Sequence, residues 1–441
     1  MSSGEKVVIQ YSREGQESSN KRGRPMRIAC LYLPCFPVQH EVRVASHLAG
    51  RSFAVSARAA NADHSTIVAA SRAAWTEGVR VGMSPAKARA LDASITIING
   101  DSDTYQKAVE ALAECMLRVA PIVDIGRTPP TVAQHRSLYI AVPPGIRGKA
   151  FGERLLRIAS RQGLRGRVGI ADDRFASFVA AAMSRNPSAN TVEGAPLFTQ
   201  GCRTVPRGGS AAFLAPMPLG LLPLDPNVLH MLQSLGVRSL GDFAALPPPT
   251  IGCRFDDNGI DLQGLARGEG PDGLEQFEPK GQIIELLQLE HPADDVQPLL
   301  FMLRPLFDRV CARLGGRGAA ASELVLHIGP TEVRFEPTTP SLSPPTLLAL
   351  ARKALTQRTR SDSRNNGRFV PAAATVSLRV TAEAEPVDEE LELFQFEGPR
   401  LEDSLRLTNM LATEGLHRRT RRGKRNRQIT PVEQPVLPLG E

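Results

Sequence analysis

Asp124 and the adjacent pair Asp172–Asp173 are the acids in this chain that could in principle build a metal site. Carboxylates are natural ligands for hard divalent cations, and two such ions side by side can clamp the attacking and leaving oxygens of a phosphoryl transfer. A plainer reading of Asp172–Asp173 needs no metal. The pair stands just before the apolar run Phe175–Ala182, where carboxylates cap free N–H groups and meet the positive end of a helix dipole. The histidines, at positions 40, 47, 64, 135, 230, 291, 327 and 417, show no ligand spacing and come with no convincing nucleophile. The cysteines, at 30, 35, 115, 202, 253 and 311, contain no C-x-x-C pair and read as reduced core thiols.

What surrounds these residues is ordinary globular sequence. A chain of 441 residues has room for roughly two to four domains. Its 42% hydrophobic and 22% charged content excludes neither a core nor solubility. The net charge of +7 points to an acidic partner such as nucleic acid. No run reaches the roughly 18 apolar residues that span a bilayer. Met1–Pro25 lacks the apolar core of a signal peptide, so a cytoplasmic, nucleoid-associated location is expected.

The polar stretch 1–25 is expected to be disordered. Ile28 to Phe36 reads as a buried strand. "SFAVSA" and "STIVAAS" read as short strands, and "SPAKARAL" and "YQKAVEALAECMLRVA" as helices. The second helix carries Ala108, Leu112, Cys115, Met116 and Val119 on one stripe. Residues 183–275 read as mainly helical with Pro-rich joints. In 281–380, "QIIELLQLE", a helical stripe from Val296 to Val310, "ELVLHI", "EVRF", "PTLLALARKAL" and "ATVSLRV" follow in the order β-α-β-β-α-β, a split βαβ arrangement. Past residue 386 the chain turns acidic and then strongly basic, as a tail would.

Four stretches in sequence order carry a family resemblance. "RIACLYLPCFPVQHEVR" (Arg27–Arg43) is similar to V-D-M-D-C-F-F-A-S-V-E, the first palm strand of the Y-family, or lesion-bypass, DNA polymerases. "IVAASRAAWTEGVRVGMSPAKARAL" (67–91) resembles the fingers motif V-A-A-S-Y-E-A-R-x-x-G-V-x-x-G-M. "RVGIADDRFASFVAA" (167–181) resembles S-V-G-I-A-x-N-K-F-L-A-K-L-A-S, and "LGVRSLGDFAALP" (235–247) the thumb's L-G-I-x-T-x-G-D-L-A-x-L-P. The resemblance covers about residues 27–380 and is nearest to the ImuB-like branch, the polymerase-like members of bacterial mutasome cassettes. It implies an α/β (α+β) fold, a polymerase-like right hand with palm, fingers, helical thumb and a split βαβ little finger. Palm and fingers would occupy 26–182 (fingers about 37–100), the thumb with a helix-hairpin-helix-like element 183–275, the little finger 281–382, and a flexible tail 386–441.

The same resemblance implies that the chemistry is gone. The family's metal-binding carboxylates fall on Tyr32 in the first strand and on Pro129 and Pro130 in "PIVDIGRTPP", while Asp124 takes a non-catalytic family glutamate. The triphosphate-binding Tyr, Arg and Lys fall on Arg72, Trp75 and Phe178, and the sugar gate falls on Pro37. A catalytically inactive homologue without a cofactor is therefore expected. The rival is an active translesion polymerase with a metal site rebuilt from Asp124, Asp172 and Asp173. DNA contact is expected, without sequence preference, from Arg352, Lys353, Arg358, Arg360, Arg364 and Arg368, and from amides near Gly236 and Gly241. In the tail, Glu390-Leu391-Glu392-Leu393-Phe394 resembles the sliding-clamp pentapeptide Q-L-x-L-F, with Glu in place of Gln. Gln434–Leu439, with Leu437 and Leu439, is a second candidate, and a basic block at 418–427 lies between them. The implied partners are primed or single-stranded DNA, the sliding clamp, a RecA-like ImuA protein and an error-prone C-family DNA polymerase, acting in SOS mutagenesis and translesion synthesis.

Overall fold

Ile28–Leu33 forms β1, buried along its length except at Tyr32, which is half-buried. The strand stops earlier than its apolar run suggests. Pro34 removes a ladder donor, Cys35 takes a left-handed φ of 46°, and Phe36 opens α1 (Phe36–Val44) with Pro37 in its first turn. The computed structural model describes residues 26–57, 65–126, 134–184, 200–247, 259–270, 273–290, 296–364 and 375–386. The N-terminal stretch 1–25 and the tail from 387 onward lie outside them.

Next come β2 (Phe53–Ser56), β3 (Ile67–Ala70), α2 (Arg72–Thr76), α3 (Pro85–Leu91) and β4 (Thr96–Asn99). Ser71 and Ser84 start the two helices by accepting the N–H groups of Ala74 and Lys87. The three strands make a small sheet, β3-β2-β4, over a core that includes Ile67, Ala74, Val79 and Ala88. The fingers boundary expected near residue 37 falls inside α1, whose Phe36 and Val38 pack into the main core.

The main sheet is completed by β5 (Val123–Asp124), β6 (Arg136–Ala141), β7 (Arg167–Ala171) and β8 (Gly201–Thr204), in the order β5-β6-β1-β7-β8. With a side-chain period of two, Ala29, Leu31, Leu33, Leu138, Ile140, Val168 and Ile170 share one face. They pack with α1, α4 (Ser102–Leu117) and α5 (Gly148–Arg161). Each large apolar side chain so buried contributes about 1.5–3 kcal/mol. The opposite face carries Cys30, Tyr32, Ser137, Tyr139 and Gly169, and α6 (Arg174–Ala182) lies on it. A Cβ at Gly169 would sit 2.1 Å from the Ser177 carbonyl oxygen and 2.3 Å from the Ala181 nitrogen; only glycine lets helix and strand approach that closely. Because β8 pairs in parallel with β7, the sheet continues past the thumb boundary expected at 182/183.

The helical region comprises α7 (Ser210–Leu214), α8 (Pro226–Ser234), α9 (Leu240–Ala244) and α10 over 259–267. It shares one core with α6: Phe175, Val179 and Ala180 pack with Leu214, Leu232, Phe243, Leu262 and Leu265.

The region expected to be the little finger is β9 (Ile284–Gln288), α11 (Val296–Arg317), β10 (Ala320–Ile328), β11 (Thr331–Phe335), α12 (Pro344–Arg364) and β12 (Thr375–Ala384). The expected β-α-β-β-α-β order is the one built, as an antiparallel sheet β11-β10-β12-β9. α11 is pressed against α4 so tightly that a Cβ at Gly316 would lie 1.8 Å from the Glu114 carbonyl oxygen. The contact is charged and buried. Glu114 takes Arg313 at 2.7 Å and Arg317 at 3.0 Å, and Glu285 takes Arg43 at 2.6 Å, Arg313 at 3.1 Å and Arg309 at 3.7 Å. Among the described residues no helix is long and apolar enough to cross a membrane.

Candidate functional site

On the helix-α6 side of the main sheet, Tyr32 stands opposite Ser137 on β6 and Arg167 on β7. Its ring lies 5.8 Å from that of Phe178 in a T-shaped contact and 5.3 Å from that of His135, separations typical of favourable ring pairs. His135 Nδ1 accepts the N–H of Cys35 at 3.1 Å, tying the ring to the left-handed turn that ends β1. Burial pushes the Tyr32 hydroxyl up to about 12, against the pull of Arg167, so the phenol stays neutral. Magnesium seeks anionic or carbonyl oxygens in octahedral array; a neutral phenol packed between rings is a poor substitute. Pro37 is buried at the start of α1. Pro129 and Pro130 lie outside the described residues.

The acids weighed for a rebuilt metal site are each engaged with protein. Asp124 is buried, binds Arg174 at 2.7 Å, and accepts the N–H of Gly126 at 2.5 Å and of Glu275 at 3.1 Å. Asp172 pairs with Arg27 at 3.3 Å and accepts the Gly208 N–H at 2.7 Å. Asp173 is the N-cap of α6, accepting the Ala176 N–H at 2.7 Å; burial pushes its carboxyl above the usual range, partly offset by that hydrogen bond. Among the described residues no three His, Cys, Asp or Glu side chains are grouped to hold a metal ion.

Of the positions implied to touch nucleotide, the structure brings Phe178 to Tyr32 but puts Arg72 and Trp75 on α2. Trp75 is covered by Arg80, whose guanidinium lies 4.0 Å from the ring centroid and donates to the Trp75 carbonyl at 2.6 Å.

The residues expected to meet DNA are scattered. Arg352, Lys353 and Arg358 are exposed on α12; Arg360 and Arg364 continue the helix, their side chains outside the described residues, as is the whole of Arg368. The expectation at Gly236 and Gly241 needs correcting, because the amides there already have acceptors. Gly236 donates to Gln233, Val237 to Leu232, Leu240 to Met217 and Gly241 to Ala215, at 2.8–3.1 Å. Arg238 and Ser239 donate to the Asp242 carboxylate, and Asp242 returns its N–H to Ser239 Oγ. The turn is a closed capping box, with no amide from 236 to 242 left for a phosphate. Both clamp-motif candidates, Glu390–Phe394 and Gln434–Leu439, lie outside the described residues.

The open face of the sheet β11-β10-β12-β9 was not singled out from the sequence. Arg334, Arg379 and His327 alternate there with core residues; Arg334 is exposed and paired with Glu332 at 2.7 Å. Ile284 and Leu286 are exposed beside them on β9. The period-two pattern in "TEVRF" and "TVSLRV" was the available signal.

Residues 31–182 match the model of the impB/mucB/samB family, IMS. The DNA polymerase IV of Dehalococcoides mccartyi (strain CBDB1) is 23% identical over 266 residues, covering 59% of this chain and 64% of that one. Protein ImuB of Caulobacter vibrioides (strain NA1000 / CB15N) is 24% identical over 257 residues, covering 57% of this chain and 51% of that one. The matched stretch thus spans less than two thirds of either relative. The solved structure of DinB from Sulfolobus solfataricus aligns at 14% identity with a TM-score of 0.46, over 82% of this chain and 100% of that one. The family match is confined to residues 31–182, and the relatives that the chain resembles over part of its length are named DNA polymerase IV and Protein ImuB.

Proposed function

We propose that the chain is a non-catalytic, polymerase-like adaptor that binds DNA and links the sliding clamp to an error-prone polymerase during damage-induced mutagenesis. The observation that carries this reading is the seat of Tyr32. The position where the family resemblance implies a metal-binding carboxylate holds a neutral phenol packed between Phe178 and His135. The engagement of Asp124, Asp172 and Asp173 with arginines, backbone N–H groups and a helix start weighs against a rebuilt metal site. Support for DNA as the partner comes from the +7 charge and from Arg352, Lys353 and Arg358, exposed on α12. Phosphate contacts of this kind give affinity without sequence preference. The clamp would be reached through Leu391, Leu393 and Phe394, or through Gln434, Leu437 and Leu439. The RecA-like ImuA protein and the C-family polymerase would complete the assembly. The test is co-elution: primed DNA, sliding clamp and this chain should form one complex that an intact tail is needed to hold. Failure to bind primed DNA at low salt would overturn the reading.

A further inference from the structure

Between the main sheet with α6 and the helical region lies a half-open pocket of about 250 Å³ that none of the proposed DNA or clamp contacts uses. It is lined by Tyr139 from β6, Arg174, Phe175 and Phe178 from α6, and Leu221, Pro223 and Leu265 from the helical region. Three of those residues carry aromatic rings. The Arg174 guanidinium lies 4.1 Å from the centroid of the Tyr139 ring, fixed there by its ion pair with Asp124. Asp124 already balances the charge of that guanidinium, so the cavity does not call for a free anion. It calls for something flat, with apolar faces and a polar edge.

Resting on the DNA-binding reading above, we propose that this cavity is a pocket for one unpaired nucleobase. The space lies below the range usual for drug-sized ligands, which suits a single ring system better than a whole nucleotide. Stacking on Phe178 would supply the affinity, as aromatic platforms do for single-stranded nucleic acid regardless of sequence, with the Arg174 guanidinium on Tyr139 forming the facing polar wall. The base edge would meet the Tyr139 hydroxyl and the Arg174 guanidinium. The site is preformed, because α6 and the helical region share a core around Phe175, Leu262 and Leu265; little ordering cost is left for binding. It also straddles two regions, so an occupied pocket would brace the palm against the thumb.

The experiment scans 2-aminopurine through successive positions of a single-stranded and a primed oligonucleotide, using the full chain. One position should show a fluorescence change on binding, and an abasic site there should weaken binding by roughly 5- to 150-fold, the range set by one base–aromatic stack. Phe178→Leu keeps an apolar side chain in the core but removes the ring. Leu221→Trp leaves the ring and fills the cavity from its rim. Both should abolish the fluorescence change and the penalty of the abasic site. If DNA binds but no position responds, or both variants respond as the parent does, the pocket is wrong and the DNA-binding reading stands. If no DNA binds at any salt concentration, that reading fails and takes the pocket with it.

Discussion

Glu285→Gln tests whether the little-finger region is fastened to the palm by charge. The Glu285 carboxylate is almost wholly buried and serves Arg43 at 2.6 Å, Arg313 at 3.1 Å and Arg309 at 3.7 Å. Burial alone would raise its pKa, but Arg43, Arg313 and Arg309 together outweigh that and hold it below the usual carboxylate value. Glutamine keeps the shape and removes the charge, taking the acid partner from Arg43 and Arg309 and leaving Arg313 with Glu114. Breaking one partner of a buried ion pair costs about 3–5 kcal/mol, a factor of roughly two hundred to five thousand in the folding equilibrium. The assay is urea unfolding, with hydrogen exchange read separately on β9 and α11, where protection should fall first. The exposed pair Arg51–Glu290 is the control, since surface pairs of this kind contribute little. The pH dependence follows from the depressed carboxyl. Its contribution is fully present above the unfolded value of about 4.3 and is lost as pH falls through the lower folded value. Parent and variant should therefore converge in stability on acidification. A loss no larger than that of Arg51→Ala, or a gap that widens below pH 4, would refute the reasoning.

Gly169→Ala should be poorly folded, because its Cβ would meet the Ser177 carbonyl oxygen at 2.1 Å; a melting temperature within a few degrees of the parent would contradict the close helix–strand contact. Tyr32→Asp should not gain primer extension, since one carboxylate does not make a two-metal cage; the check is a primer-extension gel. DNA affinity should fall steeply with salt, and neutralising Arg358, Arg360, Arg364 and Arg368 together should flatten the slope. An unchanged slope would move the contacts to the sheet face around Arg334 and Arg379. Leu393→Ala with Phe394→Ala should weaken clamp binding by about 2 kcal/mol or more, roughly thirtyfold. If only truncation before Gln434 abolishes it, the second motif is the tether.

Legibility in the sequence followed the range of the interactions. The split βαβ order was readable because each element carries its own periodicity, and the helix stripe through Leu299, Leu303, Leu306 and Val310 is indeed buried. The start of α6 was readable because an acid before an apolar run is a local cap signal, and Asp173 does cap it. β8 was missed because "GCRT" is four residues with no buried alternation, and its pairing with β7 is a tertiary choice. The closed turn at 236–242 was legible in principle: Ser239 and Asp242 have the i, i+3 spacing of a capping box, which outranks a reading built on the glycines. The Glu114–Arg313 pair spans 199 residues of chain. Isolated charges read as surface, and only the fold brings these inside.

The central claim is that a polymerase-like frame here binds DNA without doing polymerase chemistry. Primer extension with magnesium or manganese, on protein shown in the same tube to bind the primed template, tests it most directly. The account predicts a bound primer of unchanged length. Extension that survives repurification, follows the protein peak and disappears with Asp124→Asn or Asp172→Asn would contradict it, and would mean that these acids hold metal after all.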